Sequence, residues 1–140
     1  MKTRKFADAV ARVLQEELER RGVNVPVLGE VSDAFADVER VVVLCVSAEE
    51  QIPGNSSYQL ELEVQLYVPA TGATSADTEA RLDELAGGVR AAWKVLAECQ
   101  TLDDYGCGCD LYQVREVIGP LEASGSHYQA TYQLTVWAQF

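Results

Sequence analysis

The chain has 140 residues, with 22 acidic side chains against 11 basic ones, a formal net charge of -11 and a pI near 4.4. That length suits one domain with a core that needs no disulfide or metal, and the charge excludes a continuous basic footprint for gripping nucleic acid or an anionic membrane. No apolar run approaches the ~20 residues of a membrane span, and Cys45, Cys99, Cys107 and Cys109 are poorly arranged for a disulfide framework, so a soluble, cytoplasmically made product with reduced thiols is expected.

In chain order, M-K-T-R-K-F leads into a first helix over residues 2–21, with Phe6, Val10, Val13, Leu14 and Leu18 recurring every three or four positions and Gly22 as its stop. Residues 24–29 (N-V-P-V-L-G) form a connection or short extended piece, because Pro26 argues against a central strand. Residues 39–47 hold V-V-V-L-C-V, a β-branched run that predicts a strand covered on much of both faces. Residues 58–68 (Y-Q-L-E-L-E-V-Q-L-Y-V) alternate strictly. They place Leu60, Leu62, Val64, Leu66 and Val68 inward, and Gln59, Glu61, Glu63, Gln65 and Tyr67 outward. The polar stretch between these two strands, with Pro53, Gly54 and Asn55, predicts a long exposed hairpin loop over 49–57.

A second helix begins around residues 75–78 and runs to just before Cys99, with the stripe Leu82, Leu85, Val89, Trp93 and Leu96. Gly87 and Gly88 in its middle mark either a tolerated defect or a close approach of the helix to the sheet. Residues 101–110 read as a turn region, 111–118 as a third main strand, 119–126 as a linker with Gly and Pro, and 128–138 as a closing strand with Gln129, Thr131, Gln133, Thr135 and Trp137 outward. The expected fold is a single α+β domain over 1–140. It is a two-layer sandwich of order αββαββ, with both helices on one face of a four-stranded, mainly antiparallel sheet.

The uncovered face of such a sheet is polar yet nearly uncharged on its last strand, which suits a packed subunit contact. Tyr67, Trp137 and Phe140 are the candidate oligomer-interface residues, the alternative for Trp137 and Phe140 being that they fold back onto their own core. Glu61, Glu63, Glu49 and Glu50 are candidates for an exposed acidic surface. Catalytic motifs are absent: no H-E-x-x-H, G-x-S-x-G or G-x-x-x-x-G-K-[ST] occurs. Cys107 and Cys109 with Asp110 and His127 fall short of a zinc site, having only C-x-C spacing. Cys107 and Cys109 read as small turn-compatible residues, and Cys45 and Cys99 as core fillers. The expectation is therefore no cofactor, no metal and no enzymatic activity.

The element order and texture resemble the tail-terminator and minor tail proteins of long-tailed bacteriophages, including tail-completion proteins at the head-to-tail junction. The resemblance is carried by the opening helix F-A-D-A-V-A-R-V-L-Q-E-E-L, the two hairpin strands, the helix R-L-D-E-L-A-G-G-V-R-A-A-W-K-V-L and the closing strand Y-Q-A-T-Y-Q-L-T-V-W-A-Q-F. It implies a non-enzymatic virion component, a homo-oligomer in a hexameric ring, with a tail tube protein and a head-side connector protein as partners. DNA would pass through the ring without specific binding, and an acidic channel surface at Glu61, Glu63, Glu49 and Glu50 would repel it. The segment 103–110 has no counterpart in that class. Other readings are a different connector or tube protein, a small metal-dependent enzyme using the 103–110 loop, or a homodimeric accessory domain.

Overall fold

The computed structural model describes residues 2–29, 39–51, 54, 57–69, 75–98, 102, 105, 107–108, 110–124 and 127–140, with the backbone alone at 2–3, 75–76, 110–124 and 127–132. The elements are helix α1 (Lys2–Arg20), strands β1 (Val27–Leu28), β2 (Arg40–Glu50) and β3 (Ser57–Pro69), helix α2 (Ser75–Glu98), and strands β4 (Asp110–Ser124) and β5 (His127–Gln139). The sheet order is β1-β2-β3-β5-β4, antiparallel throughout except that the two-residue β1 lies parallel to β2. The α+β architecture with four long strands is therefore present. The stretch expected as a connection or short extended piece supplies a brief fifth strand.

Helix α1 ends where the sequence places its stop. Gly22 takes φ +75°, the Val23 N–H donates to Leu18 O at 2.8 Å, and the Gly22 N–H donates to Glu19 O at 3.0 Å. This is a Schellman closure, in which a glycine accepts the left-handed turn and the orphan carbonyls of the last turn find donors. Val23 and Leu18 are both buried, supplying the apolar contact that accompanies it.

Both helices pack on the face of the sheet formed by Val41, Val43, Leu60, Leu62, Val64, Leu66, Val68, Leu134, Val136 and Ala138, and they also pack on each other. From α1 come Phe6, Val10, Val13, Leu14 and Leu18, and from α2 come Leu82, Leu85, Val89, Trp93 and Leu96, all buried as their spacing predicts. Burial of this continuous apolar layer is the main term holding the two layers together. The Trp93 Nε1 is buried and finds no acceptor among the described residues.

The sequence expectations need four corrections. Gly88 permits a close approach, but to the other helix: a Cβ there would lie 2.2 Å from Leu18 Cδ2. The first hairpin loop is shorter than 49–57, since β2 continues to Glu50 and the Gln51 N–H closes onto Ser57 O at 2.8 Å. Pairing continues because a bulge between Cys45 and Ser47 absorbs one residue and restores the ladder beyond it. Strand β4 runs through 119–124, expected as linker: Gly119 and Pro120 fall at a register shift between Ile118 and Leu121. A proline lacks the ladder N–H but is tolerated at a bulge on an edge strand, and β4 is the sheet edge. Finally, Cys107 is no turn filler but a buried core residue, whose N–H donates to Leu102 O at 3.2 Å.

Candidate functional site

The face of the sheet opposite the helices carries no covering element among the described residues. Its composition follows from the alternation of β3 and β5. Because Leu60 to Val68 point into the core, Gln59, Glu61, Glu63, Gln65 and Tyr67 must point away, and register carries the same division onto β5. Cross-strand rows then read Gln59 with Trp137, Glu61 with Thr135 and Glu63 with Gln133. Glu61 and Gln133 are exposed, whereas Glu63, Thr135 and Trp137 are half-buried by their neighbours. The Gln65 Nε2 donates to Glu63 Oε1 at 2.8 Å, which fixes one carboxylate of the row.

Toward one end of the face, the Arg40 guanidinium lies over the Tyr67 ring, 4.0 Å from its centroid. Such a cation-π pair holds a cation flat on the surface. Val42, opposite Gln65, is only 3 % exposed and stands outside the main core cluster, so the open part of the face begins at β3. At the β2 bulge, Val46 is 54 % exposed beside a depression of about 60 Å³ that it lines with Glu61, Leu62, Gln133, Leu134 and Thr135.

The expected site residues separate. Trp137 and Tyr67 lie on the open face together with Glu61 and Glu63, whose two rows fall between the Trp137 row at one end and the Tyr67 row at the other. Phe140 belongs elsewhere. Its ring makes edge-on contacts with Phe6 (6.2 Å between centroids) and Tyr58 (5.7 Å), joining the C-terminus to α1 and β3. Glu49 and Glu50 are exposed at the far end of the first hairpin. Glu50 accepts hydrogen bonds from the Tyr58 hydroxyl at 3.1 Å and from the Gly54 N–H. That bond, with the negative charge beside it, pushes the Tyr58 hydroxyl pKa up.

The thiol loop contributes little that is visible. Cys107 is buried and Cys45 half-buried, neither in a disulfide; burial pushes the Cys45 thiol up despite its 3.4 Å contact to Ser47 O. Cys99, Cys109, Asp103 and Asp104 lie outside the described residues, as do the side chains of Asp110 and His127. Among the described residues no group of three His, Cys, Asp or Glu side chains converges. A second hollow of about 280 Å³, lined by Asp8, Ala11, Arg12, Gln15 and Val27, sits beside β1. Its polar groups are partly engaged in the fold, since Arg12 Nη1 donates to Tyr105 O at 3.2 Å and Gln15 bridges to the backbone of Val25 and Val27.

Sequence reasoning missed Val46 and Arg40. The run V-V-V-L-C-V is apolar at every position, so periodicity had nothing with which to locate the bulge that exposes Val46. Arg40 becomes notable only through its register partner Tyr67. No protein-family model matches the chain, and no curated protein shows significant similarity to it. No helix among the described residues is long and apolar enough to cross a membrane.

Proposed function

We propose that the chain is a non-enzymatic structural subunit of a long-tailed bacteriophage virion, forming a ring that caps the tail tube and joins it to the head. The observation that carries this reading is the open β3–β5 face. On it Trp137 and Tyr67 stand among Gln, Thr and Glu side chains, with no converging group of three His, Cys, Asp or Glu among the described residues. Aromatic residues set in a mostly uncharged surface suit a protein contact, since large amphipathic rings contribute most of the energy at interfaces.

Trp137 and Tyr67 therefore serve the subunit contact, and Glu61 and Glu63 enter it with them because their rows lie between the Trp137 row and the Tyr67 row. Phe140 does not take part, being engaged with Phe6 and Tyr58. The exposed hairpin end with Glu49 and Glu50 remains as the acidic surface suited to the channel. The net charge of -11 supports passage of DNA without retention, since like charges repel along a channel. Tail tube and head-side connector would meet the two rims of the ring, and assembly would take place in the host cytoplasm.

Native mass measured across a concentration series, with negative-stain imaging of the heaviest species, tests the ring. Addition to purified tail tubes then tests capping. Closed rings of about six copies, seated on tube ends and halting their growth, are the expected result. Protein that neither self-associates nor binds tube ends overturns the reading.

A further inference from the structure

The sheet has free backbone edges at β1, at β4 and along the outer side of β2, and the chain itself closes the first two. At β1, Gln15 occupies the outer polar groups of Val25 and Val27, and at β4 two register shifts and Pro120 interrupt the ladder. The edge of β2 is left open. Strand β1 pairs only with Val41 and Val42, so beyond them β2 has no outer neighbour among the described residues, although it runs on to Glu50. Residues 46–50 are all exposed, and Val46 is the exposed large apolar side chain among the described residues.

Which amides face that edge follows from the ladder on either side of the bulge. The Val41 N–H donates outward to Pro26 O, so by alternation Val43 and Cys45 also face outward. From the other end, the Gln51 N–H donates inward to Ser57 O, so Glu49 faces β3 while Ala48 and Glu50 face outward. The bulge between Cys45 and Ser47 takes up the odd residue and keeps the two runs in phase. Cys45, Ala48 and Glu50 therefore present their N–H and C=O groups in one row. The Glu50 carboxylate does not guard that row, since the Tyr58 hydroxyl and the Gly54 N–H hold it toward the hairpin end.

We propose that the β2 edge from Cys45 to Glu50 pairs antiparallel with the same edge of a second copy about a two-fold axis, with Ala48 opposite Ala48 and Glu50 opposite Cys45. The missing neighbour is an extended run with outward N–H and C=O groups in matching alternation, and β2 is the strand of this chain whose outer edge offers one. Charge selects the direction. Parallel pairing would set Glu49 beside Glu49 and Glu50 beside Glu50, whereas the antiparallel register holds the two Glu50 residues ~13 Å apart along the strands, beyond the ~8 Å screening length at physiological salt. The added strand also runs alongside Val46 and covers part of its surface. Such a contact is isologous and closes at two copies, so it is separate from the ring contact on the β3–β5 face and joins one ring to another where rings form.

Sedimentation velocity and amide hydrogen exchange on the full chain test it. Raising the protein concentration should produce pairs and slow exchange at Ala48 and Glu50 by on the order of tenfold or more. Ala48→Pro removes an outward N–H and leaves the β2–β3 ladder whole, so its circular dichroism and melting temperature should match the wild type while pairing through this edge weakens by on the order of tenfold or more. Glu49→Pro removes an inward N–H and should instead lower the melting temperature. Pairing should also strengthen from ~0.05 M to ~0.5 M NaCl, because main-chain groups make the contact and screening relieves the repulsion between two acidic copies.

Protection of the Ala48 amide on association, lost in Ala48→Pro, is the expected result. Association that leaves the Ala48 and Glu50 amides unprotected overturns the edge pairing and leaves the ring reading standing, and this readout decides even where Ala48→Pro destabilises the fold. A wild-type chain that stays monomeric at every concentration also overturns it, and the tube-capping test decides separately whether the functional reading falls too.

Discussion

Two adjacent glycines in α2 have opposite meanings. A methyl at Gly88 would meet Leu18 Cδ2 at 2.2 Å, within the packed contact between helices, so Gly88→Ala should cost about 2 kcal/mol as the helices are forced apart. At Gly87 the nearest atom to an added Cβ is Arg21 Nη2 at 3.0 Å, the end of a long side chain free to move aside. Gly87→Ala should therefore stabilise, by roughly 0.5–1 kcal/mol, through the better helix propensity of alanine. Urea denaturation of the two variants reads both signs in one experiment. The doublet is legible in the sequence as an anomaly, but its two halves become distinct only once Leu18 and Arg21 are placed against it. Titration at the residue scale points to the alkaline side. Cys45 is held above its ordinary 9.0 by burial, and Tyr58 above its ordinary 10.0 by its bond to Glu50. A raised folded pKa stabilises the protonated form, so both contributions are complete below the ordinary values and are lost as pH rises through the raised ones. Substituting Cys45→Ala should accordingly flatten the decline in melting temperature above about pH 9.

At the scale of elements, the two edges of the sheet are managed differently. Strand β1 is short, and its backbone is met by a side chain of α1: Gln15 Nε2 donates to Val25 O, and the Val27 N–H donates to Gln15 Oε1, each at 3.2 Å. The amide thus occupies positions that another strand would use, while Val41 N–H holds β1 from the other side through Pro26 O at 2.9 Å. Gln15→Ala should cost about 1 kcal/mol and raise amide exchange at Val27 more than at Val41, measurable by hydrogen exchange. The opposite edge, β4, carries two register shifts and Pro120, features that blunt pairing with a stray strand. Helix limits and the β3 alternation were legible because period and caps agree: Gly22 stops α1, and every inward residue of β3 from Leu60 to Val68 is buried. Bulges were not legible. They conserve the pairing of distant strands while breaking local period, so Glu49 and Glu50 beyond the Val46 bulge, and the residues from Gly119 around Pro120, read as loop or linker although the ladder continues through them.

For the whole molecule, the two aromatic residues near the C-terminus stand on opposite sides of the sheet. Both stand close together in β5 and its end, and sequence alone left their directions open, because an interface aromatic and a core aromatic obey the same alternation until the helices are assigned to a face. The helices take the face of Val136 and Ala138, and Phe140 continues that side to meet Phe6 and Tyr58. Trp137 is left on the other side, between Gln59 of β3 and Gln113 of β4 in register. Removing Phe140 therefore unpins the C-terminus from the start of α1, and Phe140→Ala should cost about 1–2 kcal/mol, less than a fully buried phenylalanine because its ring is half-covered. Its effect on association, measured where the variant is still folded, should be small. Trp137→Ala should act mainly on association, with the isolated subunit losing no more than about 1 kcal/mol because the ring is only half-buried by its neighbours in the sheet. Its association should weaken on the order of tenfold or more, as for an aromatic anchor. Sedimentation velocity together with thermal unfolding on both variants separates the two effects. If Trp137→Ala instead unfolds the subunit while assembly of the remaining folded fraction is unchanged, the open face is part of the fold and the assignment of the contact to β3 and β5 is wrong.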